Sequence, residues 1–143
     1  MPRLIWFRND LRVVDNPALQ AAAEHSEDGL IGAFVLTPGQ WKRHGWGTPR
    51  VSFILEHLRA LQNDLHTLGI PLLLRTAKFN EDVPNTLVEL MKEHESTHVH
   101  SGLEFGVDET KRDRAVADTM REHGFQLHIH HDQTVVPCID FQT

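Results

Sequence analysis

Sixteen residues near the start of the chain constrain its fold more than any other stretch. Leu4-Ile5-Trp6-Phe7 is an apolar run, Arg8-Asn9-Asp10-Leu11-Arg12 breaks it with alternating charge, and Asp15-Asn16-Pro17-Ala18-Leu19 opens an apolar helical pattern. This reads as a buried strand, a charged loop and a capped helix. Asn16 suits the N-cap, and Pro17 suits the first helical position, where its missing N–H costs nothing.

The same alternation continues along the chain. Leu30–Leu36 is a second apolar strand, closed by Thr37-Pro38-Gly39. Residues 37–48 read as a loop, and Thr48-Pro49 is expected to cap a long helix. Val51, Ile54, Leu55, Leu58, Leu61, Leu65 and Leu68 follow helical spacing along it. Gly69 ends that helix, as glycine does where the backbone turns left-handed. Residues 70–74 read as a third strand, 82–95 as a helix and 97–100 as a shorter fourth strand. Asp108 is the expected cap of a further helix running to Gly124, and residues 126–131 form the fifth strand. Strands two and three are near-continuous apolar runs, as both-face burial requires. The fifth alternates Leu127 and Ile129 with His128 and His130, which suits a half-exposed edge. Strands separated by helices predict a three-layer α/β/α Rossmann-like domain with a five-stranded parallel sheet. In the order 3-2-1-4-5, ligands bind beyond the carboxyl ends of the strands near the switch between strands one and four. Residues 8–15, 37–48 and 101–108 converge there.

Composition narrows the function. The chain's 143 residues carry fourteen Lys and Arg against twenty Asp and Glu, a net charge of −6. That argues against a domain that binds nucleic acid by itself, because phosphate affinity comes mainly from basic side chains. Cys138 is the sole cysteine, so no intrachain disulfide forms; a reducing compartment is the default, and Cys138 is expected to be inert. No apolar run reaches membrane-spanning length. A soluble, cytoplasmic protein without a signal peptide is expected. The sequence contains no G-x-G-x-x-G after the first strand, no phosphate-binding G-x-x-x-x-G-K-[ST] and no G-x-S-x-G.

Three groups of residues carry candidate chemistry. Arg8, Asp10, Arg12 and Asp15 either brace their loop as an ion-pair network or clamp an anion, arginine being suited to bidentate contacts. Trp41, Lys42, Arg43, His44 and Trp46 set aromatic rings beside basic groups, which can stack on a planar heterocycle and hold an anionic tail, or fold back as packing. Asp108 and Glu109 open a helix, where carboxylates favour the dipole, and Glu109 can also receive paired N–H donors from a ligand. His128, His130 and His131 invite a metal, but no cysteine or acidic cluster completes a known spacing, and none is expected.

The opening stretch closely resembles the motif W-F-R-x-D-L-R-x-x-D-N-x-A-L of DNA photolyases and cryptochromes. Thr37, Pro38, Gln40, Trp41 and His44 also match the T-P-x-Q-W…H pattern of photolyases that carry a folate antenna. The likeness covers essentially all 143 residues and implies the N-terminal antenna-binding α/β domain of a folate-class photolyase. By that resemblance the antenna is 5,10-methenyltetrahydrofolate, and Arg8, Asp10, Trp41, His44, Asp108 and Glu109 are candidate cofactor-binding residues. Asp108 departs from the family's Asn-Glu pair at this place. The resemblance further implies a parent protein with a helical FAD-binding domain that splits pyrimidine dimers in damaged DNA by light-driven electron transfer. These residues are then an excised or truncated piece, without catalysis of its own and prone to self-association. The alternatives are a cryptochrome-type photoreceptor domain and a free-standing nucleotide-binding domain like a universal stress protein.

Overall fold

The computed structural model describes residues 2–25 and 27–131; Cys138 lies outside them. Five strands, β1 (Arg3–Phe7), β2 (Leu30–Leu36), β3 (Leu72–Thr76), β4 (His98–Gly102) and β5 (Gln126–His130), form one parallel sheet. Their order is β3-β2-β1-β4-β5, the expected one. The helices are α1 (Pro17–Glu24), α2 (Pro38–Arg43), α3 (Thr48–Thr67), α4 (Val83–Glu93) and α5 (Val107–Glu122), with a 3-10 turn at Asn80–Asp82.

The sheet separates two apolar cores. On one face Leu4 and Trp6 of β1 and Ile31, Ala33 and Val35 of β2 meet Leu87, Leu90 and Met91 of α4 and Val116 and Met120 of α5. On the other, Ile5, Phe7 and Phe34 meet Ala18, Leu19 and Ala22 of α1 and Leu58, Leu61 and Leu65 of α3. The period-two alternation of a strand thus sorts one apolar run into two cores. Gly32 permits the approach of α3: a β-carbon there would lie 3.1 Å from Phe7 and 3.2 Å from Leu65.

Asn16 caps α1 as expected. Its Oδ1 accepts from the Leu19 N–H at 3.1 Å, while its Nδ2 donates to the Arg12 carbonyl at 2.9 Å. One buried side chain therefore ties the loop after β1 to the start of α1.

Several local expectations are corrected. Residues 38–43 are helix α2, not loop. Gly47, not Thr48, is the N-cap of α3, and Gly106, not Asp108, is the N-cap of α5. The third strand begins two residues later than the apolar run suggests, because Ile70 finishes α3. The Ile70 N–H bonds the Leu65 carbonyl and the Gly69 N–H the His66 carbonyl, each at 2.9 Å. That is a Schellman ending, with Gly69 left-handed at φ +77°. The third strand is also an edge, so its apolar run is buried only in part and Leu74 is exposed. Leu55 and Leu68 of the α3 stripe are likewise exposed. Among the described residues no helix is long and apolar enough to cross a membrane.

Candidate functional site

The carboxyl ends of the central strands open into a cavity of about 560 Å³. Trp6, Phe7, Phe34 and Val35 form its floor where β1 and β2 end. The loops after β1 and β4, helix α2, one stripe of α3 and the first turn of α5 form its walls. All three segments expected from topology contribute, the second of them through helix α2, and α3 adds a wall of which the apolar stripe read from the sequence held only Ile54.

On the β1 side the charges are locked into tertiary pairs. Arg8 is buried and donates to the Gly102 carbonyl and to Asp113 of α5. Its Nε, 3.9 Å from Glu104, is the one buried side-chain polar atom without a hydrogen bond among the described residues. Arg112 donates to Glu104 at 2.7 Å and to Asp113 at 3.0 Å. Burial works against the charge of Arg112, and the Asp113 and Glu104 carboxylates outweigh it, so its guanidinium stays above its ordinary pKa. Both guanidiniums lie over the buried Trp6 ring, at 4.5 and 5.1 Å from its centroid. Arg12 instead donates to the carbonyls of Val14 and Asp15. Asp10 turns away from the cavity and accepts the Arg8 N–H at 3.0 Å. Burial raises its pKa, against the pull of that backbone bond and the Arg8 charge.

Helix α2 brings the other wall into place. Gly39 lets its backbone pass the β3–α4 connection, where a β-carbon would lie 2.6 Å from the Lys78 carbonyl oxygen. The Gln40 N–H donates to that same carbonyl at 3.0 Å, and its Oε1 accepts from the Asn80 N–H at 3.2 Å. With Oε1 so occupied, the Gln40 amide nitrogen faces His44 Nε2 at 3.1 Å. The same imidazole nitrogen lies 3.0 Å from Asp108 Oδ2. It cannot accept from Gln40 and donate to Asp108 at once, so the two compete for one atom. Trp41 stacks on Trp46 at 5.6 Å and an 11° interplanar angle.

Of the six residues singled out, Arg8, Trp41, His44 and Glu109 line the cavity. Asp108 reaches it through His44, and Asp10 braces the loop below. Glu109 folds back over Gly106, where a β-carbon would collide with its Oε1; Gly106 has φ +117°. Glu104, Arg112 and Asp113 went unseen in the sequence. Arg112 and Asp113 belong to a run of charges that looks like a solvated helix face, and their partner Arg8 lies about a hundred residues away. Among the described residues no group of three or more His, Cys, Asp or Glu side chains is placed to hold a metal ion.

The sequence matches the DNA photolyase family over residues 3–143. The chain belongs to that family. A deoxyribodipyrimidine photo-lyase of Salmonella typhimurium is 36% identical over 118 residues, covering 82% of this chain and 25% of the relative. A class III photolyase from Agrobacterium tumefaciens superposes with a TM-score of 0.70 at 25% identity, over 91% of this chain and 25% of that one. A Synechocystis cryptochrome reaches a TM-score of 0.78 at 21% identity over 90% of this chain and 26% of its own, a likeness of fold. The chain thus spans about a quarter of the photolyases it matches and is an antenna-type domain of that family. The family match sets aside the universal-stress-protein reading.

Proposed function

We propose that this domain holds the light-harvesting chromophore of a deoxyribodipyrimidine photolyase, 5,10-methenyltetrahydrofolate, and that a helical FAD-binding domain is its partner in the parent protein. The observation that carries the reading is a cavity that Trp41, His44 and Glu109 line together. A carboxylate is acceptor-only when ionised, so Glu109 suits the adjacent amino and ring N–H groups of a pterin. The Trp41–Trp46 stack offers an apolar plane beside it. Arg8 and Asp10 hold the β1 loop, and Asp108 lies against the His44 ring. When bound, the antenna would absorb near-ultraviolet light and pass the excitation to FAD, whose electron splits a pyrimidine dimer in DNA. This chain's share is to bind, orient and partly desolvate the pigment; alone it splits no dimers.

The test is a near-ultraviolet absorbance titration of the 143-residue chain with 5,10-methenyltetrahydrofolate. Wild type should bind, and Glu109→Ala should bind roughly tenfold weaker or worse, as loss of a charged hydrogen-bond acceptor predicts. Equal affinity removes Glu109 from the site, and no binding by wild type ends the reading.

A further inference from the structure

Away from the cavity, one face of the β4–β5 edge is built of imidazole rather than hydrocarbon. His98 and His100 of β4 and His128 and His130 of β5 share that face by strand alternation. His100 sits beside Ile5 of β1, whose side chain joins the α1 core. Leu127 turns to the other face and packs on the core that holds Val116 and Met120 of α5. The four rings form one zigzag stack across the two strands. His98 lies on His128, His128 on His100 and His100 on His130, with centroids 5.2, 4.5 and 5.2 Å apart. Two hydrogen bonds join them, His98 Nδ1 with His128 Nε2 and His100 Nδ1 with His130 Nε2, both at 2.9 Å.

The two pairs respond differently to a proton. In the first, His98 can take a second proton and still donate to His128. The His100–His130 pair lacks that freedom. Arg3 Nη1 lies 2.9 Å from His100 Nε2. Arginine only donates, so the His100 proton is fixed on Nδ1 and His130 Nε2 must accept it. A proton added to His130 Nε2 sets two N–H groups against each other. A proton added to His100 sets one against the guanidinium. Burial disfavours the charged form of both rings, and the charges of Arg3 from β1 and His25 from the end of α1 act on the stack in the same sense. Opening β5 relieves the conflict, because β5 is an edge strand that pairs with β4 alone.

We propose that Arg3, His100 and His130 form an acid-sensitive latch: an added proton releases the edge strand β5 from β4 while β4 stays paired with β1. The released His130 carries its charge in water, and the bared edge of β4 is left open to strand pairing. The device is independent of the antenna reading.

The test is amide hydrogen exchange of the 143-residue chain, followed by NMR at pH 7 and pH 5 and corrected for the intrinsic exchange rate. Protection of residues 126–130 should fall roughly tenfold or more between the two pH values. At pH 5 it should also lie at least about tenfold below that of Ile5 and Trp6 in β1. His130→Gln keeps an acceptor for His100 but takes no proton, so its drop with pH should be several-fold smaller. His128→Gln, whose pair tolerates a single proton, should keep most of the drop. Equal protection of β5 and β1 would show that the strand opens only with the whole fold, and overturns the latch. So does a pH-independent β5 in wild type, a measurement that needs no variant to fold. An equal effect of the two substitutions overturns its assignment to Arg3, His100 and His130.

Discussion

Acidification should weaken this fold through one histidine. His100 of β4 is 2% exposed, and its Nε2 lies 2.9 Å from Arg3 Nη1. Arginine only donates, so Nε2 must accept. The ring proton therefore sits on Nδ1 and donates to His130 Nε2, also at 2.9 Å. His98 and His128 pair in the same way at 2.9 Å, and the rings stack between β4 and β5. A second proton on His100 would place an N–H against a guanidinium in a buried site. Burial, then the charges of His128, His130, Arg3 and His98, push its pKa from 6.5 down to about 3. The folded state thus resists a proton that the unfolded chain accepts. Between those two values the unfolded chain binds more protons, so stability falls as pH falls. At about 1.4 kcal/mol per pH unit, the loss between pH 7 and pH 5 is roughly 2 kcal/mol. Burial lowers the pKa of His98, His128 and His130 too, adding in the same sense, with their partial exposure reducing the effect. Asp10, whose pKa burial raises, acts in the opposite sense. Urea denaturation of wild type and His100→Asn at pH 7 and pH 5 isolates the histidine. The variant should be less stable at pH 7 but lose roughly 2 kcal/mol less than wild type between the two pH values. Parallel losses in the two proteins would refute the assignment.

Three further outcomes follow from the packing and the site. Gly39→Ala should cost roughly 1–3 kcal/mol, because its β-carbon meets backbone that cannot move aside; thermal melting checks it. Asp113→Ala should cost about 3 kcal/mol by removing a carboxylate shared by the buried Arg8 and the partly buried Arg112, and an unchanged denaturation midpoint would show that Glu104 suffices alone. Asp108→Asn removes the anion competing for His44 Nε2. Its stability should change by less than about 1 kcal/mol, while ¹⁵N shifts of His44 move toward the Nδ1-protonated tautomer that accepts from Gln40.

Much of the architecture was legible because it follows from local periodicity. Apolar runs too short for helices, separated by capped helical stripes, admit few arrangements other than a parallel sheet with crossovers, and the sheet order is the one expected. Asn16-Pro17 and Gly69 marked their helix ends correctly, since caps are decided within a few residues. Helix α2 was missed because six residues containing Pro38 and Gly39 carry no amphipathic period. What stabilises it is the Lys78 carbonyl and the Asn80 N–H, forty residues away.

The site divides along the same line. Its place, above the carboxyl ends of the central strands, was already contained in the order of the elements. Which partner each charge takes was not. Arg8, Arg12, Arg50 and Arg112 are the same residue type in sequence; Asp113, Glu104 and nearby carbonyls occupy three of them, and Arg50 lies over the Trp46 ring. Residue type and spacing determine secondary structure and layer order because those are short-range effects. Pairing, burial and the displaced pKa of His100 depend on neighbours that only the closed fold brings within 3 Å.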